Sequence, residues 1–114
     1  MWLEDGIIFS EFWENTHITL ENARMGVQER LEFMHDISRP VLSDIRNVSG
    51  IDSDARDYYA TAEALRNMTA VGIVTGNKFT KLYANFFLKF SKPVIPTFVF
   101  SNVAAGLRWL EQYK

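Results

Sequence analysis

The chain alternates short apolar runs with longer amphipathic segments, and that rhythm lays out an α/β fold before any motif is consulted. Residues 6–14 (GIIFSEFWE) are dense in β-branched and aromatic side chains and predict a first strand. Glu14-Asn15-Thr16 reads as a turn into a short second strand at His17-Ile18, the two together forming an N-terminal hairpin. Thr19 suits an N-cap, and Leu20, Ala23, Val27, Leu31 and Met34 recur at spacings of three and four, which predicts a helix over 20–35. Ser38-Arg39-Pro40 breaks it, because the residue before a proline is driven out of the α region.

The stretch from Pro40 to Leu65 carries the centre of the pattern. Val41, Leu42, Ile45 and Val48 predict a central strand punctuated by Ser49-Gly50, and the loop Asp52-Ser53-Asp54 leads into a second helix running to about residue 67. Residues 70–75 (AVGIVT) have the continuous apolar character of an interior parallel strand, with Gly76-Asn77 as stop and next cap. Phe79, Leu82, Tyr83, Phe86, Phe87 and Phe90 fall on one stripe of a third helix, which burial against the sheet explains. Residues 94–100 (VIPTFVF) predict an edge strand, since Pro96 cannot donate a ladder bond. Ser101 caps a last helix over 102–112 that turns Val103, Leu107 and Leu110 inward. The result is a single domain over 1–114, a hairpin followed by a largely parallel sheet of about five strands with about four helices. In such a sheet ligands favour the C-terminal ends of strands, where the pattern places the Asp52 loop.

Composition narrows the class. The chain is 47% hydrophobic and 14% aromatic, so it can bury a core, and it has no cysteine, which excludes disulfides, thiolate catalysis and cysteine metal sites. A reducing compartment follows as the expectation, and with no basic leader and no apolar run near the roughly 18 residues that span a bilayer, the expected location is cytoplasmic. The net charge of −2 conceals a division: residues 1–63 hold thirteen of the fourteen acids and five of the twelve bases, whereas every lysine lies in 64–114. Either the halves interleave and neutralise one another, or the asymmetry steers a partner or aligns two copies as a homodimer.

Two places could carry chemistry. Asp52, Ser53 and Asp54, with Asp57 a turn later, are accounted for by capping of the second helix, while a partner-binding loop and a divalent-cation site stand as further readings. No glycine-rich phosphate cradle or second carboxylate motif accompanies them, so neither metal nor other cofactor is expected. His17 and His35 are the only histidines and no G-x-S-x-G elbow exists, so an enzyme is not expected; a hydrolase would need a pocket lined by Asp44, Asp52 and a histidine. In the third helix, Lys78, Lys81, Lys89 and Lys92 flank the aromatic stripe and no acid occurs over 77–92. The ordinary reading is a buried stripe with a solvated basic face; an anionic membrane, an apolar ligand or a partner protein are the alternatives, and nucleic acid is not expected. Leu88 lies off the stripe beside Lys89 and marks a contact surface.

The run Asp44-Ile45-Arg46-Asn47-Val48-Ser49-Gly50-Ile51-Asp52-Ser53-Asp54 resembles the signature of STAS domains of the anti-sigma-factor-antagonist type, in which a strand ending in aspartate is followed by a valine, a serine and an apolar residue before Asp-Ser-Ser-Gly. The closing pattern Phe100-Ser101, Ala104 or Ala105 and Trp109-Leu110 is similar to the C-terminus of the sporulation-antagonist-like (SpoIIAA-like) group, small bacterial proteins that combine STAS-like and lipid-binding Sec14-like architecture. The resemblance implies a STAS-like fold, a regulatory role through a protein partner, and a binding edge at Ser49, Asp52, Ser53, Asp54 and Asp57. It also implies that the second serine of the signature is the phosphorylation switch. Here Asp54 takes that place and Ala55 replaces the following glycine, so the toggle is missing while Ser53 keeps the first serine. The Sec14-like side of the relationship implies a lipid or other apolar ligand, with Lys78, Lys81, Leu88 and Lys89 on the corresponding face.

Overall fold

The computed structural model describes residues 1–114 and resolves seven strands and five α-helices. Five strands form the main sheet in the order β1 (Trp2–Glu4), β2 (Ile7–Glu11), β4 (Arg39–Asp44), β6 (Met68–Val74) and β7 (Thr97–Phe100). β1 runs antiparallel to β2 and every other pair is parallel. β3 (Thr16–Ile18) and β5 (Val48–Ile51) leave this sheet and pair with each other in parallel.

The hairpin is therefore one element earlier than the apolar pattern suggests. Its turn is Asp5-Gly6, whose positive φ values of 53° and 80° are what a two-residue hairpin turn matched to strand twist requires. The expected pairing of residues 6–14 with His17-Ile18 does not occur; β3 takes β5 as its partner instead. Likewise the central strand is divided. Ile45, Arg46 and Asn47 turn the chain away after Asp44, so the Asp52 loop follows the small sheet and not the main one.

The helices are α1 (Leu20–Met34), α2 (Ser53–Tyr58), α3 (Ala62–Leu65), α4 (Lys78–Phe86) and α5 (Val103–Leu110). Thr19 caps α1 by accepting from the Asn22 N–H, and His35 and Asp36 end it in the left-handed region, several residues before Pro40. The expected second helix breaks at Ala60, and Thr61 caps α3 afresh. Asn77 and Thr80 close a reciprocal capping box at the start of α4, which runs on into a π turn over Phe87–Ser91. Asn102, one residue after the expected Ser101, caps α5.

Two layers of side chains fix the sheet. Ile8, Val41, Val71 and Ile73 face Met34, Ala84 and Phe87 on one side, while Ile7, Phe9, Leu42, Ala70 and Val74 face Leu110 of α5 on the other. A third cluster joins Ile18 and Val48 of the small sheet to Ala23, Val27, Ala55, Tyr58 and Ala64. Pro40, in the interior of β4, is buried where the ladder with β6 shifts register, so its missing N–H interrupts an irregular pair. No helix is long and apolar enough to cross a membrane.

Candidate functional site

The acids of the Asp52 loop do not converge. Asp52 occupies the N-cap position of α2, yet its side chain makes no capping bond; His17 Nε2–H donates to its Oδ1 at 2.7 Å across the two strands of the small sheet. Gly50 makes that pair possible, because a Cβ there would stand 2.6 Å from His17 Nδ1. Asp54 turns back to accept from the Ala55 N–H at 2.8 Å, and Ser53 is exposed at the first position of α2. Ser49 Oγ donates to the Thr16 carbonyl at 3.2 Å, which stitches β5 to β3. The sequence pattern assigns Asp52 to capping, and a cross-strand histidine displaces that role. The hydrolase arrangement is not built either: Asp44 lies against Arg46 at 2.6 Å, and Asp44, Asp52 and His17 line neither of the two principal pockets.

Asp57 is placed differently. Ser91 Oγ–H donates to its Oδ1 at 2.7 Å and the Arg56 guanidinium lies 3.2 Å away, and these donors hold its carboxyl below the ordinary range. The Arg56 guanidinium also sits over the Phe90 ring at 5.7 Å from the centroid. α2 and the π turn are thus joined by one hydrogen bond and one cation–π contact.

The face of α4 overturns the expectation of a buried aromatic stripe. Small side chains, Thr80 and Ala84, point inward with Phe87, whereas Phe79, Leu82, Phe86 and Phe90 are 69%, 45%, 38% and 56% exposed. Leu88, expected as a contact, packs against the core. Lys78 and Lys81 project into solvent with no carboxylate partner, and Lys89 Nζ rests 5.4 Å from the Phe90 ring. Of the cations beyond residue 63, Arg66 and Lys114 reach acids of the first half, at Asp36 and Asp5. The charges of the two halves therefore neutralise one another only in part.

Beneath α4 lies a feature that sequence reasoning missed. A cavity of about 320 Å³ opens between the sheet and helices α1 to α4, with sixteen of its twenty-four lining residues hydrophobic. Ser10 and Ser43, directly paired on β2 and β4, face it where a branched side chain would fill it. Gly26 of α1 lines it too, and a Cβ there would meet nothing within 4 Å. Arg30 and Tyr59 supply its buried polarity: burial lowers the guanidinium pKa, and burial pushes the Tyr59 phenol up to about 12. A signal was present in the sequence, since Arg30 falls in register with Ala23, Val27 and Met34 on the apolar side of α1, where a charged residue is out of place unless something inside uses it.

A family model described as a domain of unknown function, DUF7793, matches residues 1–114. The fold is also similar to the crystal structure of an uncharacterised protein of the DUF3478 family with a SpoIIAA-like fold, from Shewanella loihica PV-4. That match has 17% identity and a TM-score of 0.59, and covers 82% of this chain and 77% of the other. No curated protein matches. The likeness establishes the SpoIIAA-like α/β fold that the run from Asp44 to Asp54 resembles.

Proposed function

The chain belongs to the DUF7793 family of domains of unknown function, and we propose that it is a non-catalytic binding module that docks a protein partner on the face formed by α2, α4 and the π turn. The observation that carries this reading is the exposed row Phe79, Leu82, Phe86 and Phe90, because large apolar side chains gathered on one face mark interaction sites far more often than scattered ones do. Unpaired Lys78, Lys81 and Lys89 border the row and Asp52 and Asp54 stand at the start of α2, which suits a partner that brings apolar anchors with acids opposite the lysines and a base opposite the aspartates. Asp57 ties α2 to the π turn through Ser91, which supports reading the STAS-like edge together with the aromatic row. In the anti-sigma-factor-antagonist pattern a phosphoserine would toggle that edge; Asp54 supports instead a constitutive charge, directed onto its own helix.

Affinity capture from the native cells tests the reading. Phe86→Ser with Phe90→Ser, both at exposed positions, should abolish capture of the partner while leaving the circular dichroism unchanged, and Asp52→Ala with Asp54→Ala should weaken it. Capture undiminished in the phenylalanine variant would sink the assignment. Flotation of the chain on anionic vesicles, lost in the same variant, would instead assign the face to a membrane.

The cavity favours a second reading, carriage of an apolar ligand. Its volume lies at the lower end of the roughly 300–1,000 Å³ typical of small-molecule sites. Native mass spectrometry of the protein taken from its own cells should show a bound small molecule, and a spectrum of the bare chain alone would count against it.

A further inference from the structure

Arg30 is the one buried charge whose surroundings do not account for it. The residue is 7% exposed, and no acidic side chain pairs with it. Its neighbours are neutral: Nη1 donates to the Ala64 carbonyl at 2.8 Å and to Met68 Sδ at 2.9 Å, and Nη2 donates to the Arg66 carbonyl at 2.8 Å. A guanidinium has five N–H donors, so two remain, one on Nη2 and the one on Nε, which is buried without any partner. Removing a permanent cation from water costs several kcal/mol unless an anion or a full set of hydrogen bonds replaces the lost hydration. The carbonyls at the C-terminal end of α3 supply part of that compensation. They supply no negative charge.

Arg30 and Tyr59 both line the cavity, and each lies within electrostatic reach of the other. The Tyr59 hydroxyl stays neutral up to about pH 12, so it is a donor throughout the physiological range. Away from these two groups the walls are apolar, with Val27, Val41, Ile73 and Phe87 among them. The mouth lies where exposed Glu11, Asn22 and Glu29 are shared with an outer groove that Tyr59 also lines, whereas Arg30 lines the cavity alone. Carboxylates at that solvent-facing rim are screened by salt, whereas the buried guanidinium is not.

From this arrangement we infer that the wall of the cavity carrying Arg30 and Tyr59 is a carboxylate subsite, which receives the acid group of a small amphipathic monocarboxylate whose apolar chain lies along the apolar walls. The inference rests on the second reading above and names its ligand class. The unpaired charge and the free Nη2 hydrogen of Arg30 favour a carboxylate, and the tyrosine hydroxyl adds a second donor. Gly26, Ser10 and Ser43 keep open the volume that the chain of the ligand fills.

Calorimetric titration of the full chain with decanoate and with methyl decanoate, both below their aggregation limits, tests it. Decanoate should bind roughly tenfold to a hundredfold tighter than the ester, the range expected for hydrogen bonds to a charged group. Tyr59→Phe should cost decanoate several-fold in affinity and leave the ester unchanged. Arg30→Lys, which keeps the charge and a donor for the α3 carbonyls, should keep part of the preference for the acid, and Arg30→Met, checked as folded by circular dichroism, should erase it. Gly26→Leu, which fills the cavity, should abolish binding of both. Equal affinity for acid and ester would overturn the carboxylate subsite while the carrier reading stands. Binding of neither would overturn both.

Discussion

Tyr59 sets the sharpest residue-scale expectation. Its phenol is raised from 10.0 to about 12 because the folded chain buries it, so above pH 10 the unfolded state loses a proton that the folded state keeps. Stability therefore falls as pH rises from about 10 to about 12, by up to roughly 2–3 kcal/mol, since each tenfold difference in proton affinity between the two states is worth about 1.4 kcal/mol. Alkaline unfolding followed by fluorescence should show this decline in the wild type and a shallower one in Tyr59→Phe; parallel curves would remove Tyr59 as its source. Gly50 is constrained by contact and not by backbone angle: a methyl group there would push the His17 ring off Asp52. That pair joins residues 35 apart, and nothing local to either residue announces it. Asp52 was legible as a helix start because its neighbours set the pattern, whereas the destination of its side chain depended on β3 pairing with β5.

At the scale of elements, two helix glycines behave in opposite ways. Gly26 stands in the middle of α1 above open space, so Gly26→Ala gains helix propensity without a clash and should raise stability by about 0.5–1 kcal/mol. Gly106 of α5 lets the helix approach β4 so closely that a Cβ would stand 2.7 Å from Leu42 Cδ1, and Leu42 is buried. Gly106→Ala should therefore destabilise by about 1–3 kcal/mol, through the crowding of a packed core. Denaturant melts of the two variants check both signs; stabilisation by Gly106→Ala would show that Leu42 can move aside. α4 explains why the aromatic stripe misled. Hydrophobic periodicity assumes that the largest apolar residues face inward, but here Thr80 is tied into the capping box and Ala84 lies over the cavity, which leaves Phe79, Leu82, Phe86 and Phe90 outside. The period was right and the phase was rotated.

For the whole molecule, the SpoIIAA-like arrangement was legible because parallel strands and their crossover helices write long, regular signals, as at residues 70–75 and along α1. The small sheet was not, since three- and four-residue strands carry too few positions to show which neighbour they pair with. The cavity is built by residues from four helices and several strands, so only Arg30 betrayed it in sequence. The unpaired lysines of α4 and the π turn put positive charge beside the aromatic row, and a partner docked there with acids should be released by salt. The Debye length shrinks from about 10 Å at 0.1 M to about 3 Å at 1 M, so capture should fall steeply over that range. Capture that ignores salt would leave the aromatic row as the whole of the contact. The main sheet also has a temporal meaning. Its strands stand side by side in the order in which they occur in the chain, β1, β2, β4, β6 and β7, so during synthesis each emerging strand finds its neighbour already made. The helices between strands cover one face as it grows. The other face, with Ile7, Phe9, Leu42, Ala70 and Val74, stays bare until residues 103–110 leave the ribosome, so the nascent chain is most prone to aggregate just before α5 arrives.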